Sequence, residues 1–398
     1  MDFNRRNFLK GLGLIGLGAS TPAYAERILA SPQQPLQSFS FACPPYLQNL
    51  QVNSVTVCAI LNKPCLAWLE ILDTNNQVLQ TVYQVEDGMR NANAELFKFK
   101  TTLQNPKLKY RVVAKEITKF EPYKIEYGDT IQSDAFEAEL PQIKQDHIQC
   151  LILNDIHEEK ESYAYLYNKS KLANKDFVIL NGDSFHYVTN QQDLTEKLLK
   201  PVGSSFASNK PFVMIRGNHE TRGSYAREYN RYFDYPENKF YQAFRMGPIF
   251  WIILDSGEDK PDDHEVYGGT VDYDNYRLEQ KEWLAKVLKS KERNDAKHTL
   301  VITHIPFQHS DDWHGTKHNH ECFHELINNN DVDAVISGHT HKYSFHPPGP
   351  EHNYYVIIGG GPKAGNRTFV EVSAQGKTLQ VSLNLDDGSI INRFSKKA

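Results

Sequence analysis

The sequence predicts an all-β region followed by an α/β layered domain, and three observations carry that prediction. From about Phe39 to Pro141 the chain is a series of short β-branched and aromatic runs separated by Asn, Pro, Asp or Gly, with no helical spacing between them. From His147 onward, continuous apolar runs alternate with helical stretches, the pattern of strands buried on both faces. All 16 histidines lie between His147 and His352, so composition divides the chain at the same place and puts imidazole chemistry in its second part. The 398 residues are 40% apolar and 23% charged, an ordinary globular balance. A net charge of −5 leaves no basic footprint for nucleic acid. No run reaches the ~20 apolar residues a membrane helix needs, so no stable membrane anchor is expected.

Taken in order, the chain opens with Arg5-Arg6, a glycine-rich apolar run from Gly11 to Ala19, and Ala23-Tyr24-Ala25. This reads as a twin-arginine export signal over 1–25, implying a periplasmic or secreted protein. Residues 26–38 have no periodicity and read as a linker. Residues 39–141 carry evenly spaced strands, among them 54–61, 65–72, 96–101 and 107–113, which suggests a β-sandwich. The apolar runs of the second part are 148–153, 177–180, 212–215, 249–254, 300–303, 334–337 and 355–358. Between them, Trp283, Leu284, Val287 and Leu288 mark one face of an amphipathic helix over 276–289. Residues 368–372 and 378–385 read as a closing hairpin. The five cysteines (43, 58, 65, 150 and 322) are scattered without C-x-x-C spacing, so buried free thiols are expected, with a Cys58–Cys65 bridge as the alternative.

Five of the predicted strands end directly in a polar cluster. They lead into Asp155-Ile156-His157, Gly182-Asp183, Gly217-Asn218-His219-Glu220, His304, and Gly338-His339-Thr340-His341. Carboxyl ends of strands are where α/β domains assemble ligand sites. Carboxylate, imidazole and amide donors together suit Zn, Fe or Mn. Alternate residues of an extended segment project to one side, so Asp155 with His157, and His339 with His341, are expected to point together from extended strand ends. Glycines 182, 217 and 338 let the chain turn and come close. Asp-x-His or Gly-Asp alone carries little weight. The rarer Gly-Asn-His-Glu and Gly-His-x-His, in this order and at strand ends, carry the assignment.

These motifs resemble those of the calcineurin-like metallophosphoesterase superfamily over 147–392, most of all its purple acid phosphatase branch. That resemblance implies a four-layer αββα sandwich. Pro44-Pro45-Tyr46-Leu47-Gln48-Asn49 and the strands near Val55 and Val112 resemble that branch's fibronectin-III-like front domain, which would occupy 39–141. Carried over by position, one metal takes Asp155, His157 and His341. The other takes Asn218, His304 and His339, and Asp183 bridges the two. The resemblance then implies an exported dinuclear-metal phosphoester hydrolase acting on small-molecule substrates. In it a metal-activated hydroxide attacks phosphorus and His219 serves as general acid. A phosphodiesterase or nucleotidase on the same scaffold, and a non-catalytic envelope binding protein with a structural metal site, are the alternatives.

Two positions depart from the purple acid phosphatase pattern. His157 stands where that branch has glycine, and His186 stands where it has a tyrosine ligand. A divalent-metal site without the purple colour is therefore expected. His186, Arg222 and His314 are substrate-contact candidates. Arg222 is preferred over Arg216, which still belongs to a strand, because a guanidinium beside the motif can hold a phosphate oxygen bidentately. The polar segment 259–269 reads as a lid or a surface insertion.

Overall fold

The computed structural model describes residues 38–398 apart from 52–53 and 104–105. The expected export signal, and the linker up to its final serine, lie outside the described residues. Residues Phe39–Ala398 form one compact unit.

Its first part is all-β: β1 (Tyr46–Gln51), β2 (Ser54–Leu72), β3 (Val78–Val82), β4 (Val85–Glu86), β5 (Met89–Arg90), β6 (Ala92–Thr102), β7 (Lys107–Glu121), β8 (Lys124–Gln132) and β9 (Phe136–Glu139). The two runs read as separate strands at 54–61 and 65–72 are one 19-residue strand, β2. The exposed Pro64 sits where the register with β6 shifts, between Ile60 and Cys65, so its missing N–H removes no ladder bond. β2 pairs with β1 and β6 along its first half and with β3 and β7 along its second, joining seven strands into one network. Alternation puts Val55, Val57, Ala59, Leu61, Cys65, Ala67 and Leu69 on one face, where they meet Phe97, Phe99, Tyr110 and Val112 in a common core. Each such valine, leucine or phenylalanine contributes about 1.5–3 kcal/mol by leaving water.

The second part holds two six-stranded sheets. The first is ordered β12 (Phe212–Ile215), β11 (Phe177–Asn181), β10 (His147–Leu153), β19 (Thr368–Gln375), β20 (Thr378–Leu385) and β21 (Ile390–Lys397). The second is ordered β13 (Gln242–Met246), β14 (Ile249–Ile253), β15 (His298–Ile302), β16 (Ala334–Ser337), β18 (Tyr355–Ile358) and β17 (Ser344–His346). Ile148, Cys150, Ile152, Phe177, Ile179 and Ile215 of one sheet meet Ile249, Trp251, Ile253, Leu300 and Ile336 of the other in a shared core. The opposite faces are covered too. Leu151, Leu153, Val178 and Leu180 pack under the helical stretches 161–169 and 191–207. Phe250, Ile252, Val301 and Val335 pack under the helix Tyr273–Val287 and the helical run 314–328. Strands buried on both faces explain the unbroken apolar runs, and the arrangement is a mixed α/β layered fold.

The tail departs from the expected hairpin. β21 makes it a three-stranded meander that continues to Lys397, past the expected boundary at 392. This edge strand is mostly exposed, so its sequence lacks apolar alternation. All five cysteines are free and buried. Among the described residues no helix is long and apolar enough to cross a membrane.

Candidate metal centre

β10, β11 and β12 run parallel, as do β14, β15, β16 and β18, and the five polar clusters follow five of these strands. The chain there is not extended. Asp155, His157, Asp183, His339 and His341 all have positive φ, between 45° and 72°. The expectation that Asp155/His157 and His339/His341 converge from extended strand ends is therefore corrected. They converge from left-handed turns, each costing about 1–3 kcal/mol that the surrounding structure must hold in place.

Close approach explains the glycines. A Cβ at Gly182 would lie 2.4 Å from His304 Nδ1, one at Gly217 would lie 2.3 Å from Asp183 Oδ1, and one at Gly338 would lie 2.3 Å from Asp155 Oδ2. A Cβ at Gly361 would lie 2.7 Å from His341 Cβ.

Two groups of donors form, sharing Asp183. In the first, donor atoms of Asp155, His157, Asp183 and His341 lie within 4.8 Å of one another. His157 Nε2 and His341 Nε2 are 2.9 Å apart, and lie 3.7 and 3.4 Å from Asp155 Oδ1. The second holds Asp183, His304 and His339. Asn218 joins it, with its Oδ1 3.0 Å from His339 Nδ1.

The His304 ring shows what this group asks for. Its Nδ1–H donates to the Asn181 carbonyl at 2.8 Å, which leaves Nε2 facing Asp183 Oδ2 at 3.0 Å. A lone pair against a carboxylate is repulsive, so a cation, proton or metal, belongs between them. Without metal, burial opposes the charge but Asp183 outweighs it and lifts the His304 imidazole to about 10. Burial likewise pushes Asp183 up, yet the His304 charge holds it down at about 2. Asp155 falls well below the usual carboxylate range. Burial opposes this, but His157 and His341 outweigh it. The donor set and the unmatched His304 nitrogen fit metal cations.

His219 stands beside this centre, partly exposed. Its ring meets His157 edge-on with centroids 4.8 Å apart. Nδ1 lies 2.9 Å from the His186 carbonyl oxygen and Arg222 Nη1 donates to Nε2 at 3.1 Å, so the neutral ring carries its proton on Nδ1. Burial, with the Arg222 charge added, holds its imidazole below the ordinary value despite Asp183. The exposed His186 lies at the mouth, its ring 5.0 Å from that of His157. Arg222 is fixed by two parallel hydrogen bonds to the buried Glu258 carboxylate, both 3.0 Å. Arg216 is held away from the centre by Asp255, at 2.9 and 2.6 Å, and by the Phe240 ring. His314 is not brought to the His157–His219 group. Its Nε2 lies 2.8 Å from Asp274 instead, on the helical run beginning there. The segment 259–269 is anchored at the buried Asp259, 3.6 Å from Arg222, and carries the exposed Val266 further out.

Asn154 and Glu258 lie outside the five sequence motifs, while Glu220 belongs to one of them. Asn154 donates to Asp155 Oδ2 at 2.6 Å and to the Gly360 carbonyl at 2.9 Å. Glu220, fully buried, accepts from the N–H groups of Gly217, Asp183 and Ser184 at 2.7, 2.8 and 2.7 Å, locking two motif turns together. Burial, reinforced by Asp183, raises its carboxyl to about 7. Glu258 lies just beyond β14, so the same strand-end rule that found the other clusters would have flagged Asp255-Ser256-Gly257-Glu258-Asp259.

Comparison with known proteins bears on the family and the fold. Residues 148–343 match the family described as calcineurin-like phosphoesterase. The chain is 26% identical over 214 residues to a probable purple acid phosphatase 20 of Arabidopsis thaliana, covering 47% of this chain and 45% of that protein. It is 23% identical over 175 residues to the human serine/threonine-protein phosphatase CPPED1, covering 42% and 53%. The chain thus spans about half the length of the curated relatives it matches. In fold it is similar to the purple acid phosphatase PPD1 from yellow lupin (Lupinus luteus) seeds, with a TM-score of 0.66 and 14% identity over 89% of this chain and 74% of that one.

Proposed function

We propose, from the calcineurin-like metallophosphoesterase domain at residues 148–343, that the protein is a metal-dependent hydrolase of small-molecule phosphoesters. The observation that carries this reading is the pair of donor groups sharing Asp183, with His219 beside them. Asp155, His157, Asp183 and His341 would hold one divalent ion, and Asp183, Asn218, His304 and His339 a second. Paired ions at such a site supply Lewis acidity toward phosphoryl oxygens and lower the pKa of water.

The chain's own groups do the rest. Glu220 keeps the Asp183 and Gly217–Asn218 turns in register through three N–H groups. Arg222, held by Glu258, presents its Nη1 hydrogen toward the His219 ring. An anionic substrate oxygen that accepts this N–H frees His219 Nε2. Once Nε2 has taken up a proton from solvent and the ring is imidazolium, His219, with Nε2 3.9 Å from Asp183, is placed to give that proton to the leaving oxygen and return to the neutral form. His186, at the mouth, faces the substrate. The fibronectin-III-like reading of 39–141 is supported by the β-only strands of that part. Export to the periplasm or beyond is supported by the Arg5-Arg6 signal pattern.

The test is hydrolysis of para-nitrophenyl phosphate beside bis(para-nitrophenyl) phosphate by protein reloaded in turn with zinc, manganese and iron. Turnover of either ester is expected. His219→Ala is expected to lower it by about a hundred- to ten-thousand-fold with metal content unchanged. A metal-loaded protein inert on both esters and on a broad phosphoester panel would remove the hydrolase reading.

A further inference from the structure

We propose that Asp274, His314 and His318 form an additional divalent-cation site of zinc type, separate from the centre built on Asp183. Nothing in the proposed hydrolase chemistry uses it.

The three side chains come from two packed helical segments. His314 and His318 are four residues apart on the run that opens Trp313-His314-Gly315, so helical geometry puts both rings on one face. The rings lie nearly parallel, 20° apart, with centroids 5.7 Å apart. Asp274, in the first turn of the helix Tyr273–Val287, faces both. His314 Nε2 is 2.8 and 2.9 Å from its two carboxylate oxygens, and His318 Nδ1 is 3.1 Å from Oδ1. Tetrahedral zinc bonds of 2.0–2.1 Å set their donors roughly 3.3 Å apart, so these atoms need little movement to share an ion.

The protonation pattern agrees. His318 Nε2 faces Cys322 Sγ at 3.8 Å, and with its hydrogen there Nδ1 turns a lone pair toward Asp274. That Nδ1 is buried without a well-formed hydrogen bond. His314 and Asp274 keep 36% and 37% of their side-chain surface exposed, which leaves an entry path and room for water as a further ligand.

Arg277 sets the strength. Fully buried, it donates to Asp274 Oδ1 at 2.8 Å and to the carbonyl of Ser256 at 2.9 Å. It orients the carboxylate through Oδ1 and makes no contact with Oδ2, which faces His314 Nε2 at 2.9 Å, but its charge lies close by. The site should therefore fill after the Asp183 centre.

Chelator-stripped full-length protein titrated with zinc, followed by equilibrium dialysis, tests this. Wild type should bind one more equivalent than His318→Ala, or hold it at least tenfold more tightly. His314→Gln, at a half-exposed position, and Asp274→Asn should lose the same equivalent. Asp183→Asn should keep it while losing zinc from the main centre. Wild-type stoichiometry and affinity in both His318→Ala and His314→Gln would overturn the site. So would loss in Asp183→Asn of the very equivalent that His318→Ala removes.

Discussion

With its Nδ1 hydrogen given to Asn181, His304 meets the Asp183 carboxylate through Nε2 alone. In metal-free protein only a proton can sit between them. Its imidazole lies at about 10 in the fold against an ordinary 6.5. The folded state therefore binds more protons than the unfolded state between these values. This contribution is fully present below pH 6.5 and is lost as pH rises through 10. Chelator-stripped protein should lose thermal stability over that window, and His304→Asn should flatten the loss; equal slopes in the two proteins would reject the pairing. Glu220 supplies a second residue-scale prediction. Gln at this position turns an amide N–H₂ toward backbone N–H groups that the carboxylate now satisfies. Glu220→Gln should cost about 1–3 kcal/mol in urea unfolding, with weaker metal binding. At this scale the motif residues were legible because unusual side chains fell at predicted strand ends. Asn154 was not, whereas Glu258 follows a predicted strand and the same rule reaches it. An asparagine beside an aspartate looks ordinary until its neighbours are in view. The contact of His314 with Asp274 was hidden for the same reason, since the two lie 40 residues apart in sequence.

At the scale of elements, the turns after β10, β11 and β16 show how cramped the centre is. The left-handed aspartates and histidines there are held by backbone hydrogen bonds from one turn to the next: Asp155 N–H to the Gly182 carbonyl at 3.1 Å and His157 N–H to the Asp183 carbonyl at 2.9 Å. Gly338→Ala would place a methyl group 2.3 Å from Asp155 Oδ2. The variant should fold, since the strands beneath are untouched, but bind metal at least tenfold more weakly than wild type; unchanged affinity would show that the turn has slack. Buried strands were readable from unbroken apolar runs. The edge strands β13, β17 and β21 were not, because a strand with one solvent face and few apolar side chains carries no distinguishing pattern. The join of two predicted strands into β2 escaped for a different reason. Proline usually ends a strand, and only the shift of register makes room for Pro64.

For the molecule as a whole, the first part is tied to the second through buried groups. Tyr46 Oη donates to the Tyr232 carbonyl at 2.6 Å, Tyr110 Oη to the Ser208 carbonyl at 2.8 Å, and Gln48 Nε2 to the Phe212 carbonyl at 3.0 Å. Cys43, Tyr46, Cys58 and Ile60 enter the same core as Leu151 and Val178. A metal that binds only the folded chain should stabilise all of it. Zinc or manganese at about a hundred times the dissociation constant should add about 2.7 kcal/mol to unfolding, read as a single shifted transition. Two transitions, with only the later one metal-sensitive, would show that the parts unfold separately. Their separate character was legible from composition. The shared core was not, since no local pattern marks which apolar face meets which.

The order of strands in the first large sheet bears on how the protein is made. β10, which leads into Asp155, lies between β11 and β19, and β19 begins only at Thr368. The turn carrying His341 follows β16 of the other sheet, which is completed only by β17 and β18 beyond it. During synthesis from the amino end, the seven donors therefore cannot converge in the completed sheet until residues through β19 have left the ribosome. A nascent or truncated chain offers scattered imidazoles and carboxylates but no preformed centre to capture an ion. Metal loading would then report that β19 has been made and paired with β10.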